Sequence, residues 1–157
     1  MITSLRLIVR HPNPADYSEF CRLEGDPAVK QFTGGPTSVS REAYQRFLSS
    51  PSASCMAVCL KHDGRFIGRC GFRQIDDRIE LEIFLLQEAQ GEGLGGELFD
   101  AMISHCASAF PNFKVAGSVS PVNSRAVKLL ATRGFVATDE KVTLKSGVQH
   151  AVYIKDN

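Results

Sequence analysis

With 157 residues, 43 % of them apolar and 22 % charged, the chain is long enough to bury a core and too apolar to stay disordered. A formal net charge of +1 with no long basic run argues against a nucleic-acid-binding module, and no apolar run approaches the roughly 20 residues of a membrane span. Five cysteines (Cys21, Cys55, Cys59, Cys70, Cys106) form no C-x-x-C pair, and Met1-Ile2-Thr3-Ser4 shows no secretory signal, so reduced thiols in a cytoplasmic protein are expected. Four scattered histidines (His11, His62, His105, His150) argue against a zinc site.

Leu5 to Val9, rich in Leu, Ile and Val, reads as a first strand, broken by His11-Pro12-Asn13-Pro14. Asp16 suits a helix N-terminus, with Tyr17, Phe20, Cys21 and Leu23 as the apolar face and Gly25-Asp26-Pro27 as the end. Val29 and Phe32 mark a short second helix, stopped by Gly34-Gly35-Pro36. Ser40 is a candidate cap for a helix from about Arg41 to Ser49, with Tyr44, Phe47 and Leu48 facing inward. The period then changes to two. Ser54 to Lys61 reads as a strand with Met56, Val58 and Leu60 on one side, and His62-Asp63-Gly64 is a hairpin turn signal. Phe66 to Phe72 returns, and Asp76-Asp77 turns the chain into a fourth strand, Ile79 to Leu86. Three strands joined by tight turns predict an antiparallel meander. A helix from about Gly93 to Phe110 comes next, then a strand from Lys114 to Val119. A helix from Asn123 to Thr132 follows, with Ala126, Val127, Leu129 and Leu130 buried. Val142 to Leu144 and Val148 to Ile154, around Ser146-Gly147, close the sheet. The order predicts a mixed sheet flanked by helices, in one domain over residues 1–157.

The densest signal is Gln90-Gly91-Glu92-Gly93-Leu94-Gly95-Gly96, four glycines in seven residues between the fourth strand and the long helix. Such a junction points backbone N–H groups out of the first helical turn, where the helix dipole is positive. Glycine lets a phosphate reach them without meeting a Cβ. The ligand implied carries a di- or polyphosphate, against the plain alternative of an unoccupied turn. Gly91-x-Gly93-x-x-Gly96 formally fits the dinucleotide fingerprint, but Val115 to Ser120 offers no acidic ribose ligand, and no Gly-Lys-Ser/Thr follows for a P-loop. A nucleotide-dependent oxidoreductase is therefore a poor reading.

Gln90-x-x-Gly93-x-Gly95 is similar to the acyl-CoA-binding signature Q/R-x-x-G-x-G/A of the GNAT superfamily of N-acetyltransferases. The resemblance covers most of the chain. Arg6-Leu7-Ile8-Val9-Arg10 followed by Asp16 resembles the opening of the branch that includes ribosomal-protein alanine N-acetyltransferases, and Asp26-Pro27-x-Val29 with Phe32 resembles its early helices. Phe66-Ile67-Gly68-x-Cys70-Gly71, Glu80-Leu81-x-Ile83, Gly91-x-Gly93-x-x-x-Glu97, Asn123-x-x-Ala126 and Arg133-Gly134-Phe135 follow in order. The fold so implied is the α/β (α+β) acyl-CoA N-acyltransferase fold, with a mostly antiparallel sheet of six to seven strands. The cosubstrate implied is acetyl-CoA. The acceptor is a small-molecule amine or a protein N-terminus, and the protein a monomer or homodimer.

The resemblance also distributes roles. The loop Gln90, Gly91, Glu92, Gly93, Leu94, Gly95, Gly96 would hold the pyrophosphate. Phe84, Leu85 and Leu86 would run beside the pantetheine arm, with a strand amide polarising the thioester carbonyl. Asn123 would reach the pantetheine or simply cap its helix, and Arg125 would meet a phosphate or only solvent. Period-two alternation puts Glu80 and Glu82 on one strand face, opposite Ile79, Leu81, Ile83 and Leu85. Glu80, at the branch's acidic position, is the first choice for the base that deprotonates the amine, and Glu82 the second; both also fit a solvated polar face. Many relatives carry a general-acid tyrosine where Leu130 stands, and the branch often has a serine where Ala126 stands. That departure keeps open a non-catalytic acyl-CoA-binding or sensor module. Cys106 reads as a packing residue.

Overall fold

The structure, a computed structural model, describes residues 1–50 and 53–155. Its strands are β1 (Ile2–Thr3), β2 (Leu7–Arg10), β3 (Met56–Leu60), β4 (Phe66–Ile75), β5 (Arg78–Leu85), β6 (Lys114–Val119), β7 (Val136–Thr143) and β8 (Gln149–Lys155). The helices are α1 (Tyr17–Gly25), α2 (Pro27–Lys30), α3 (Arg41–Ser49), α4 (Leu94–Ala109) and α5 (Ser124–Ala131). The strands form one sheet in the order β1-β2-β3-β4-β5-β6-β8-β7. Every neighbouring pair is antiparallel except β5 and β6. This is the mixed, mostly antiparallel sheet expected, and β3-β4-β5 is the predicted meander. The eighth strand is the two-residue β1, too short to leave an alternation in the sequence.

Alternation divides the two faces. Met56, Val58, Ile79, Leu81, Leu85 and Val115 point to the main core, where α4 supplies Leu94, Leu98, Phe99 and Met102 and α5 supplies Leu130. Ala57, Cys59 and Phe84 point the other way, under Phe20 and Leu23 of α1 and Tyr44 of α3. Glu80 and Glu82 belong to this second face by the same period.

Several boundaries differ from the sequence reading. Leu5 lies outside β2 and is 85 % exposed. Asp16 does not cap α1 with its side chain. Asn13 caps the preceding 3-10 turn, and the Asp16 carboxylate instead accepts from Asn13 N–H at 2.8 Å and from the Arg10 guanidinium at 2.7 and 2.9 Å. The carboxylate is thus committed to a guanidinium and to the backbone N–H behind it, which leaves it turned away from the first turn of α1. β4 runs on to Ile75, and β7 starts at Val136 rather than Val142, because its polar, largely exposed residues form an outer strand with little apolar alternation. In α5 only Leu130 is fully buried; Ala126, Val127 and Leu129 are half-buried.

Candidate active site

β5 and β6 share three rungs, Arg78↔Lys114, Ile79↔Val115 and Glu80↔Ala116, and then part. β5 stays with β4 as far as Gly68↔Leu85, while β6 stays with β8 as far as Val119↔Ala151. A cleft of about 1230 Å³ opens at this divergence. Its lining runs from the glycine loop and α5 to the loop after α2.

The glycine loop occupies one half. Gly91 and Gly93 adopt φ of 88° and 78°, and Gly93 stands at the N-cap of α4. The first N–H taken up inside the helix is that of Glu97, by Gly93 O at 3.1 Å; those of Leu94, Gly95 and Gly96 precede it and face out of the helix end. Gln90 ties the loop on both sides. Its Nε2 donates to Leu85 O at 2.9 Å, and its Oε1 accepts from Arg125 at 2.7 Å. Arg125, Lys128 and Arg133 line this half and suit phosphates. Asn123 both lines the cleft and caps α5, accepting from Ala126 N–H at 3.2 Å.

The remaining predicted cofactor residues are placed unevenly. Phe84 and Leu85 line the cleft. Leu86 does not: it is 2 % exposed in the second core, and its N–H donates to Ile67 O at 2.9 Å. Leu94 is buried in the main core, and Glu92 is exposed with its carbonyl on Arg6.

Both candidate carboxylates line the cleft, in different surroundings. Glu80 is 7 % exposed. Its Oε1 accepts from Ser118 Oγ at 3.0 Å and from Arg73 at 3.4 Å, and its Oε2 has no hydrogen-bond partner among the described residues. The Glu82 side chain is 44 % exposed and pairs with Arg69 at 3.0 Å. Arg69 also binds Glu24 at 2.5 Å, and Glu24 binds Lys30 at 3.0 Å. Burial alone would push the Glu24 carboxyl up, but the two cations outweigh it and hold the group below its usual range.

Glu97, Arg6 and Arg133 match the family pattern in sequence, but sequence reasoning gave them no role in bracing this site. Glu97 takes Ser4 Oγ at 2.6 Å, Arg6 N–H at 2.6 Å and Arg6 Nε at 2.7 Å, which fastens the glycine loop to the β1–β2 turn. A carboxylate in a first helical turn is a readable signal, though its distant partners are not. Arg133 clamps Asp100 at 2.6 and 2.9 Å and joins α5 to α4. Cys106 is fully buried, and burial pushes its thiol up to about 11, which suits packing rather than nucleophilic work. Among the described residues no helix is long and apolar enough to cross a membrane.

The profile of the acetyltransferase (GNAT) domain matches residues 6–136. The chain is similar to the uncharacterized N-acetyltransferase p20 of Bacillus licheniformis, 26 % identical over 140 residues that span 83 % of this chain and 79 % of that protein. A GNAT-family acetyltransferase from Bacillus anthracis shares the fold at 14 % identity with a TM-score of 0.83, over 98 % of this chain and 96 % of that one. Spermidine N-acetyltransferase from Vibrio cholerae, crystallised with CoA and spermine, does so at 17 % identity with a TM-score of 0.77, over 95 % and 94 %. The matched residues run from β2 to the first residue of β7 and take in the parted strands, the glycine loop and α5; the chain therefore belongs to the GNAT acetyltransferase family.

Proposed function

We propose that the chain, acting as one domain over residues 1–157, moves the acetyl group of acetyl-CoA directly to a primary amine of a small molecule or a protein N-terminus. The observation that carries this is the parting of β5 from β6, with Glu80 on the last shared rung and the glycine loop beyond the end of β5.

The coenzyme A pyrophosphate sits on the outward N–H groups at the start of α4, with Arg125, Lys128 and Arg133 nearby. The pantetheine arm lies along β5 past Phe84 and Leu85, where β5 has no pairing to β6. A β5 amide polarises the thioester carbonyl. The amine nitrogen attacks that carbon, a C–N bond forms and the C–S bond breaks. Oε2 of Glu80 accepts the ammonium proton, directly or through water. Leu130 is buried and Ala126 has no acidic group, so the coenzyme A thiolate leaves unaided and takes its proton from water. The Vibrio cholerae protein of the same fold holds CoA, which supports the donor. Its other ligand, spermine, is a polycation. Here Arg73 faces Glu80 and Arg69 faces Glu82, so both carboxylates of the acceptor half already meet a cation, which favours an amine of lower charge.

The ribosomal-protein alanine N-acetyltransferase branch is the finer placement, supported by the Arg6–Arg10 opening, Asp16 and Asp26-Pro27-x-Val29. Five free cysteines support a cytoplasmic protein. It works as a monomer or homodimer. Leu130 and Ala126 favour one other reading, a non-catalytic acyl-CoA-binding module. Thiol release from acetyl-CoA over a panel of primary amines separates the two. Amine-dependent release above the acceptor-free rate is expected; coenzyme A binding with no such release would refute transfer.

A further inference from the structure

The β7–β8 hairpin meets the loop after α2 through two side chains. Ser146 Oγ donates to Thr33 O at 3.1 Å, and His150 Nε2 lies 2.8 Å from Phe32 O. His150 lines the cleft and is 6 % exposed. A carbonyl oxygen only accepts, so Nε2 carries a proton, and a neutral ring leaves Nδ1 as a bare acceptor. That Nδ1 is buried and has no hydrogen-bond partner among the described residues. Buried acceptors are filled in the great majority of cases and cost the folded state free energy when they are not.

The register says where this acceptor stands. Ser118, which holds Glu80, pairs with Val152 on β8. His150 is two residues from Val152, so it shares that sheet face, about 7 Å further along the strand. His150 lies beyond residues 6–136, the span that the family match covers.

We propose that His150 reads the acceptor: Nδ1 takes a hydrogen bond from a second N–H or O–H group of the amine substrate, at a position diagonal across the β6–β8 pair from the Ser118 that holds Glu80, about 7–8 Å away. This rests on amine acetylation and narrows its substrate to amines with a second hydrogen-bond donor. His150 sets specificity, and Glu80 handles the proton.

The test uses thiol release with α,ω-amino alcohols of roughly four to six carbons, a span of about 7 Å, against alkylamines of equal length. Wild type should prefer the amino alcohols. His150→Gln keeps a donor near Nε2 but loses the acceptor at Nδ1. It should raise the amino-alcohol KM roughly tenfold, erase the preference and leave the acetyl-CoA KM unchanged. His150→Asn places its amide oxygen near Nδ1 and loses the reach to Phe32; it should recover most of the preference. The reverse order, with Gln benign and Asn damaging, would mean that the ring is only a latch and would overturn the proposal. No preference in the wild type would overturn it as well. No amine-dependent release at all refutes transfer itself, and the ring-nitrogen ¹⁵N shifts then decide His150: a neutral ring protonated at Nδ1 overturns the assignment.

Discussion

Gly93 and Gly147 both sit in the left-handed region, at φ of 78° and 85°. A Cβ at Gly93 would find Arg6 at 3.6 Å, and one at Gly147 would find nothing within 4 Å. Neither site is crowded, so alanine at each costs mainly the backbone term, about 1–2 kcal/mol. A chain of this size loses ~2–4 °C of Tm per kcal/mol, so Gly93→Ala and Gly147→Ala should each melt roughly 2–8 °C below wild type. Of the two, only Gly93 lies in the proposed phosphate site. A methyl there displaces one charge-assisted N–H to phosphate bond, worth about 1.5–3 kcal/mol, which is roughly 10- to 150-fold in Kd. Gly147 turns the β7–β8 hairpin and is absent from the cleft lining. Calorimetric titration with coenzyme A, run beside thermal melts, reads both quantities. Gly93→Ala should lose stability and affinity, and Gly147→Ala stability alone. Two variants that melt alike and both bind coenzyme A as tightly as wild type would refute the phosphate assignment.

Glu80→Gln keeps the bond from Ser118 but cannot accept the ammonium proton, so kcat should fall by roughly 10²–10⁴ with little change in the acetyl-CoA KM. Glu82→Gln, on the same strand face, should do less, and a loss confined to Glu82→Gln would transfer the base to that residue. Coenzyme A should raise Tm by binding the folded state, and NAD should not; a shift with NAD alone would revive the dinucleotide reading. Because the folded-state Glu24 carboxyl lies below its unfolded value, its stabilisation is complete above the unfolded pKa and is lost as pH falls through the folded one. Urea melts from neutral to acid pH should therefore show a shallower decline in Glu24→Gln, along with a loss of about 3 kcal/mol at neutral pH from leaving Arg69 and Lys30 short of a partner.

Elements whose pattern is local were legible in the sequence. Ser40 and Asn123 cap the helices expected of them, because a short polar side chain meets a backbone N–H within three residues. The meander was legible because His62-Asp63-Gly64 and Asp76-Asp77 sit between runs of period two. What escaped depends on distant partners or on polarity. The part of β7 before Val142 is a strand by virtue of β8, and its polar residues carry no alternation of their own. Glu97 reaches Arg6 across 91 positions, and His150 reaches Phe32 across 118, separations that no spacing rule connects. Glu80 and Glu82 looked equivalent by alternation. Their surroundings differ because Ser118 comes from β6 and Arg69 from β4.

The parted strands explain how the sheet bears an open seam. β5 keeps its ladder to β4 up to Leu85, and β6 keeps its ladder to β8 up to Val119, so each is held along its outer edge while the inner edges face one another unpaired. Unpaired edges at a protein's rim invite other chains. Here they line a cleft in mid-sheet, where a slender amide-bearing arm can satisfy them. Gln90 fixes the end of the gap, since it holds Leu85 O on one side and Arg125 of α5 on the other. The main-core face of the sheet is filled by α4, which directs an acceptor to the face that bears Glu80, Ser118 and His150. In the proposed transfer, donor and acceptor approach from different sides and meet at the strand junction. Two ligands arranged in this way can react without a covalent relay. The buried thiols fit that route, since burial pushes Cys55 and Cys106 up to about 11 and leaves neither as a thiolate at neutral pH.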